Sequence, residues 1–163
     1  MKPHIHLLTG PIQTGKSHHL LRWSVGRDAC GFLTPTIGER KQFFNVAERT
    51  YHPYESQTPG TDTQSVGRFH LLQSAFESGL VLARGAILNQ PEVFLFDEWG
   101  RLEREGDGFQ PAFDVLLNGF RGQLLVVVRE LLAPAFREQY RSKIVQEIPF
   151  LEWKEGKQTL RLS

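Results

Sequence analysis

Apolar residues along the chain come in short runs separated by polar, turn-forming stretches. Ile5 to Thr9 is one such run, stopped by Gly10, and it predicts a buried strand. Ser17 to Val25 then places Leu20, Leu21 and Trp23 at helical spacing before Gly26 closes the segment. Cys30 to Leu33 reads as a second strand. Phe43 to Val46 is expected to pair either with it or with Arg68 to Leu72, across the turn-rich Gly38-Glu39-Arg40-Lys41. Tyr51 to Gly67 is rich in Pro, Gly, Thr, Ser and Gln and reads as a surface excursion.

Gln73 to Asn89 carries Ala75, Phe76, Leu80, Leu82, Ala83 and Ile87 in an amphipathic pattern ended by Pro91. Val93 to Phe96 and Leu124 to Val128 lack any polar interruption, the mark of strands buried on both faces. Phe109 to Phe120 and Leu131 to Tyr140 read as helices, and Ile144 to Ile148 as a last strand. Glu155-Gly156-Lys157 then offers a hairpin turn. Strands alternating with helices predict an α/β fold. The expected form is a mainly parallel sheet with helices on both faces and a small antiparallel excursion, all in one domain over 1–163. Ligands of such folds sit at the carboxyl ends of the strands.

Composition narrows the partners. Of 163 residues, 19 are basic and 18 acidic, so no strong field calls for nucleic acid or an anionic membrane as an obligate partner. The longest apolar run falls far short of the roughly 20 residues needed to span a bilayer. The first residues, Met1 to His4, lead straight into a strand pattern without a signal-peptide core, which makes the cytoplasm the expected location. Cys30 has no partner for an internal disulfide and reads as a small buried residue.

Gly10-Pro11-Ile12-Gln13-Thr14-Gly15-Lys16-Ser17 matches the phosphate-loop pattern G-x-x-x-x-G-K-[ST] in full. Gly10 leaves the strand in a bend, and Gly15 lets backbone amides approach phosphate oxygens. The amides of residues 13 to 17, with that of His18, converge on the anion at the positive end of the next helix. Lys16 supplies a charge for the β- and γ-phosphates, and the Ser17 hydroxyl is a candidate Mg²⁺ ligand. A chance match in a chain this long is expected on the order of once in a hundred sequences, before the strand and helix context is required.

Downstream, Val93-Phe94-Leu95-Phe96 ends in Asp97-Glu98. Alone this pattern is common; after a phosphate loop it is the expected other half of a nucleotide site. Asp97 is the candidate Mg²⁺ residue and Glu98 the candidate acceptor of a proton from attacking water.

With these motifs in view, the sequence resembles the small P-loop nucleoside-triphosphatases of the thermophile-described, cancer-related NTPase family, which have a RecA-like fold. The resemblance rests on Gly10 to Ser17, Cys30-Gly31-Phe32-Leu33-Thr34-Pro35, Val66-Gly67-Arg68-Phe69, and Asp97-Glu98-Trp99-Gly100-Arg101-Leu102-Glu103. It implies Mg²⁺-dependent hydrolysis of ATP, GTP and other nucleotides with loose base choice, Asp97 serving the metal and Glu98 the water. The chain departs from the family where Pro11-Ile12-Gln13-Thr14 lacks an extra glycine, where Trp99 replaces a smaller residue, and where an Arg-rich hairpin shrinks to Glu39-Arg40-Lys41.

Arg129, closing the strand Leu124 to Val128, is a candidate γ-phosphate residue, with pairing to Glu130 as the structural alternative. Glu103 reads as a solvated loop acid, Trp99 as either a base-stacking or a packing residue, and His4 and His6 as structural. Two rival functions stand beside hydrolysis: a small-molecule kinase, which lacks an Arg-rich lid segment here, and a non-catalytic nucleotide-responsive module with a protein partner, against which Glu98 argues.

Overall fold

The computed structural model describes residues 3–11 and 15–162. In chain order the first half comprises β1 (His4–Gly10), α1 (Lys16–Trp23), β2 (Ala29–Leu33), β3 (Thr36–Ile37), β4 (Arg40–Asn45), β5 (Thr50–Pro53), β6 (Glu55–Ser56), β7 (Thr63–Val66) and β8 (Phe69–Leu72). The second half comprises α2 (Gln73–Asn89), β9 (Val93–Phe96), α3 (Arg101–Arg104), α4 (Gln110–Gly119), β10 (Gln123–Arg129), α5 (Ala133–Tyr140), β11 (Ile144–Pro149) and α6 (Phe150–Lys154).

The main sheet runs β11-β1-β10-β9-β2-β4-β3, with β5 beside β4. Its first five strands are mutually parallel, and β4 pairs antiparallel with β2. The uninterrupted apolar runs are explained by the two-residue strand period. Phe94, Phe96, Leu124, Val126 and Val128 face a cluster with Phe76 of α2, Phe113 of α4 and Phe136 of α5. Val93, Leu95, Leu125 and Val127 face the opposite cluster with Leu20 of α1. Each of these buried large side chains contributes about 1.5–3 kcal/mol relative to exposure. The mainly parallel sheet with helices on both faces is therefore as expected, and the antiparallel excursion is a second sheet of order β6-β8-β7.

One close approach aligns the central strands. Gly31 has φ +101°, and a Cβ there would stand 2.2 Å from the Leu95 carbonyl oxygen. Only glycine lets β2 lie this close to β9, the strand that carries the acidic pair.

Long-range packing decides between some expectations and corrects others. The Phe43 segment pairs with β2 and β5, while Phe69–Leu72 joins the separate sheet. The Tyr51 to Gly67 excursion is partly structural: it holds β5, β6 and β7, and Tyr54 is buried against Phe76 and Phe109. Glu155-Gly156-Lys157 turns no hairpin, because Phe150 is fully buried and folds its segment into α6. His6 is buried and bonded to Gln123 and Gln146, a structural role, whereas His4 is exposed. Cys30 is half-buried, and burial, then the Asp28 charge, pushes its thiol up to about 12.

Candidate functional site

The chemistry-bearing residues meet where β1, β9 and β10 end. β1 stops at Gly10, whose carbonyl accepts the Glu130 N–H at 3.3 Å, and the chain then turns into the phosphate loop. Pro11 is exposed; Ile12, Gln13 and Thr14 of the expected loop lie outside the described residues. Gly15, at φ 76° and ψ 25°, starts α1, and its carbonyl accepts the His19 N–H at 3.0 Å. A left-handed backbone there is what glycine supplies without strain.

Lys16 folds back so that Nζ donates to the Pro11 carbonyl at 2.5 Å. Burial lowers its pKa, opposed first by Asp97 and then by Glu98. His18 is exposed, with Nε2 3.2 Å from the Thr36 carbonyl oxygen.

Ser17 and Asp97 are brought into contact although they are 80 positions apart: the Ser17 hydroxyl donates to Asp97 Oδ2. The same oxygen accepts the Thr34 N–H at 2.9 Å and is 3.4 Å from the Thr34 hydroxyl. Asp97 is buried, which raises its pKa, while the Ser17 and Thr34 donors pull it down.

Glu98 adopts φ +73°, a left-handed conformation that costs a non-glycine residue energy. This turn leads its side chain out of the strand between two cations. Lys41 Nζ lies 3.2 Å from Oε2 and the Arg129 guanidinium 2.7 Å from Oε1. Burial would raise the Glu98 carboxyl, but Lys41 and Arg129 outweigh it and hold it below the usual carboxylate range. Arg129 thus pairs with Glu98, not with Glu130.

Glu103 is not a solvated loop acid. It is buried, with Oε1 accepting the Gly100 N–H at 2.8 Å and Oε2 the Phe109 N–H at 2.8 Å. Burial dominates over these donors and raises its carboxyl to about 7. Trp99 is fully buried, its Nε1 donating to Gln110 Oε1 at 2.8 Å, so packing is its role and base stacking is closed to it.

A cavity of about 650 Å³ opens in front of these groups. Lys16, Ser17, Asp97, Glu98 and Arg129 line one side, and Lys41, Glu55, Arg68 and Phe69 extend it toward the small sheet. Lys41 and Thr34 were not singled out by sequence reasoning. Their signal was faint: Thr34 sits in the Cys30 to Pro35 block, and Lys41 stands in the shortened basic hairpin.

The donor set suits Mg²⁺, which favours a few protein oxygens completed by phosphate and water. Ser17 offers a hydroxyl and Asp97 a buried carboxylate already joined to it. Among the described residues no cluster of three or more His, Cys, Asp or Glu is spaced to hold a metal by itself.

Comparison with solved structures places the fold. THEP1 from the hyperthermophile Aquifex aeolicus superposes with a TM-score of 0.69 at 15% identity, covering 90% of this chain and 89% of that one. No curated protein matches. The family model for NTPase matches residues 5–149, from β1 to the end of β11 and across every site residue described above, and the chain belongs to that family of small P-loop nucleoside triphosphatases.

Proposed function

We propose that this protein hydrolyses ATP, GTP and other nucleoside triphosphates to the diphosphate and phosphate with Mg²⁺, with loose base choice. The observation that carries the reading is the Ser17–Asp97 contact, which joins the start of α1 to the strand end that carries Glu98, itself paired with Arg129. Lys16 and the loop from Gly10 to His18 hold the phosphates. Ser17 and Asp97 would hold Mg²⁺, which when bound supplies charge neutralisation at the β- and γ-phosphate oxygens. Glu98 accepts the proton of the attacking water as its oxygen bonds to the γ-phosphorus and the bond to the β-phosphate oxygen breaks. Arg129 and Lys41 offset the charge that develops. A γ-phosphate between Lys16 and Arg129 competes with Glu98 for the guanidinium and so frees the carboxylate for this task.

A single domain over 1–163, acting in the cytoplasm, completes the reading. Among the described residues no helix is long and apolar enough to cross a membrane.

The test is phosphate release from ATP, GTP, CTP and UTP with Mg²⁺, comparing wild type with Glu98→Gln and Lys16→Ala. Release from several nucleotides, lost in both variants, is expected. Intact binding with no release from any nucleotide would sink the hydrolase and leave a nucleotide-responsive module. One observation favours a kinase as second reading: the cavity reaches Arg68 and Phe69, wider than a water molecule needs. ATP loss that depends on an added acceptor would establish it.

A further inference from the structure

The cavity beside Glu98 lies on the β9–β2 flank of the phosphate loop, whereas β11 borders β1 on the other flank. With the γ-phosphate directed at Glu98 and Arg129, the nucleoside end leaves the loop toward the carboxyl end of β11. That position is occupied by α6, which follows β11 directly.

The helix is pressed against the loop. A Cβ on Gly10 would stand 3.4 Å from the Phe150 Cβ, and one on Gly15 would stand 4.0 Å from Lys154 Nζ. Lys154 is exposed, makes no ion pair among the described residues, and carries its ammonium 6.0 Å from the Phe150 ring centroid. Its charge therefore lies beside Gly15, at the start of α1.

Trp153 is half-buried beside it. Its neighbours His19, Trp23 and Phe150 meet it at ring separations of 4.9, 5.9 and 6.1 Å and at interplanar angles of 88°, 75° and 72°. Among the described residues no ring lies parallel to the indole.

We infer that α6 is the nucleoside-binding wall of the site, with Lys154 taking the non-transferred phosphates and Trp153 stacking on the base. The inference rests on the proposed nucleotide reading and deepens it. An aromatic face accepts purines and pyrimidines alike, because every base has a π-face, which gives binding without base choice. Lys154 supplies a point charge with no demand on base identity.

The experiment measures the dissociation constants of Mg-ATP, Mg-ADP and Mg-tripolyphosphate for wild type, Lys154→Ala, Trp153→Leu, Trp153→Phe and Phe69→Leu, with Lys16→Ala as the control for the loop. Lys154→Ala is expected to weaken all three ligands about tenfold. Trp153→Leu is expected to weaken ATP and ADP about tenfold and leave tripolyphosphate unchanged, with Trp153→Phe restoring most of the loss. A Trp153→Leu effect of equal size on tripolyphosphate would show a structural role and overturn the stacking assignment. Unchanged affinities in the Lys154 and Trp153 variants, with binding lost in Lys16→Ala, would overturn the inference while the nucleotide reading stands. Selective loss of ATP and ADP in Phe69→Leu would place the base in the other cavity and also overturn it. Failure of wild type to bind any of the three would remove both readings.

Discussion

The Arg129 guanidinium, at the end of β10, donates to Glu98 Oε1 at 2.7 Å across the gap to the end of β9. Two strands adjacent in the sheet but far apart in sequence thus deliver a carboxylate and its counter-charge to one point. Arg129 is about a third exposed, so the pair adds little to stability by itself. In the proposed reaction its weight lies in offsetting the charge that develops on the γ-phosphate. Arg129→Ala is expected to lower the turnover of phosphate release about a hundredfold while changing ADP affinity little, since ADP lacks the γ-phosphate. Steady-state phosphate release beside ADP titration checks this, and equal losses in both would contradict the assignment.

Asp97 acts through one oxygen on Ser17 and Thr34. Asp97→Asn keeps an acceptor for these donors, so folding survives, but it removes the charge that would hold Mg²⁺. The Mg²⁺ concentration for half-maximal phosphate release should rise about 10- to 100-fold. An unchanged Mg²⁺ dependence would take Asp97 out of the metal site.

Gly31 is the point at which β2 touches β9. Alanine there would adopt φ +101° and drive its Cβ to 2.2 Å from the Leu95 oxygen, a backbone clash that no rotamer relieves. Gly31→Ala is expected to destabilise the fold by about 3 kcal/mol or more. Denaturant unfolding reads this directly, and a loss under about 1 kcal/mol would mean that the strands can separate at little cost.

Glu103 gives a pH dependence of defined sign. Burial raises its carboxyl from the ordinary 4.5 to about 7, so the folded state holds its proton more tightly than the unfolded chain. Stability from this group is fully present at low pH and is lost as pH rises from about 4.5 to about 7. The group is buried and bonded, and the loss is on the order of 1–3 kcal/mol. Glu103→Gln should flatten this slope between pH 5 and 8 in urea unfolding. It also lowers stability throughout, because an amide offers one acceptor oxygen to the two N–H groups of Gly100 and Phe109. An identical slope in the variant would assign the pH effect elsewhere.

The local patterns were legible from the residues. Gln73–Asn89 and Val93–Phe96 fall where their apolar spacing placed them, because a two- or 3.6-residue period needs no knowledge of distant chain. The phosphate-loop and acid-pair patterns could be read for a similar reason: each is a contiguous string of residues. Glu103 and Trp99 were misjudged or left open because their burial depends on α4 and α5 closing over them, which the residues around them do not encode.

What the sequence by itself determined is the parallel α/β class and the phosphate-loop and acid-pair motifs, since these follow from periodicity and local spacing. Strand order decided the rest. Placing β10 between β1 and β9 brings Arg129 to Glu98. Setting β4 beyond β2 brings Lys41 to the same carboxylate, and folding β11 against β1 carries α6 to the loop. These are long-range choices, made by which apolar faces bury one another, and so the pairing of Arg129 and Lys41 with Glu98 became visible only in the tertiary structure.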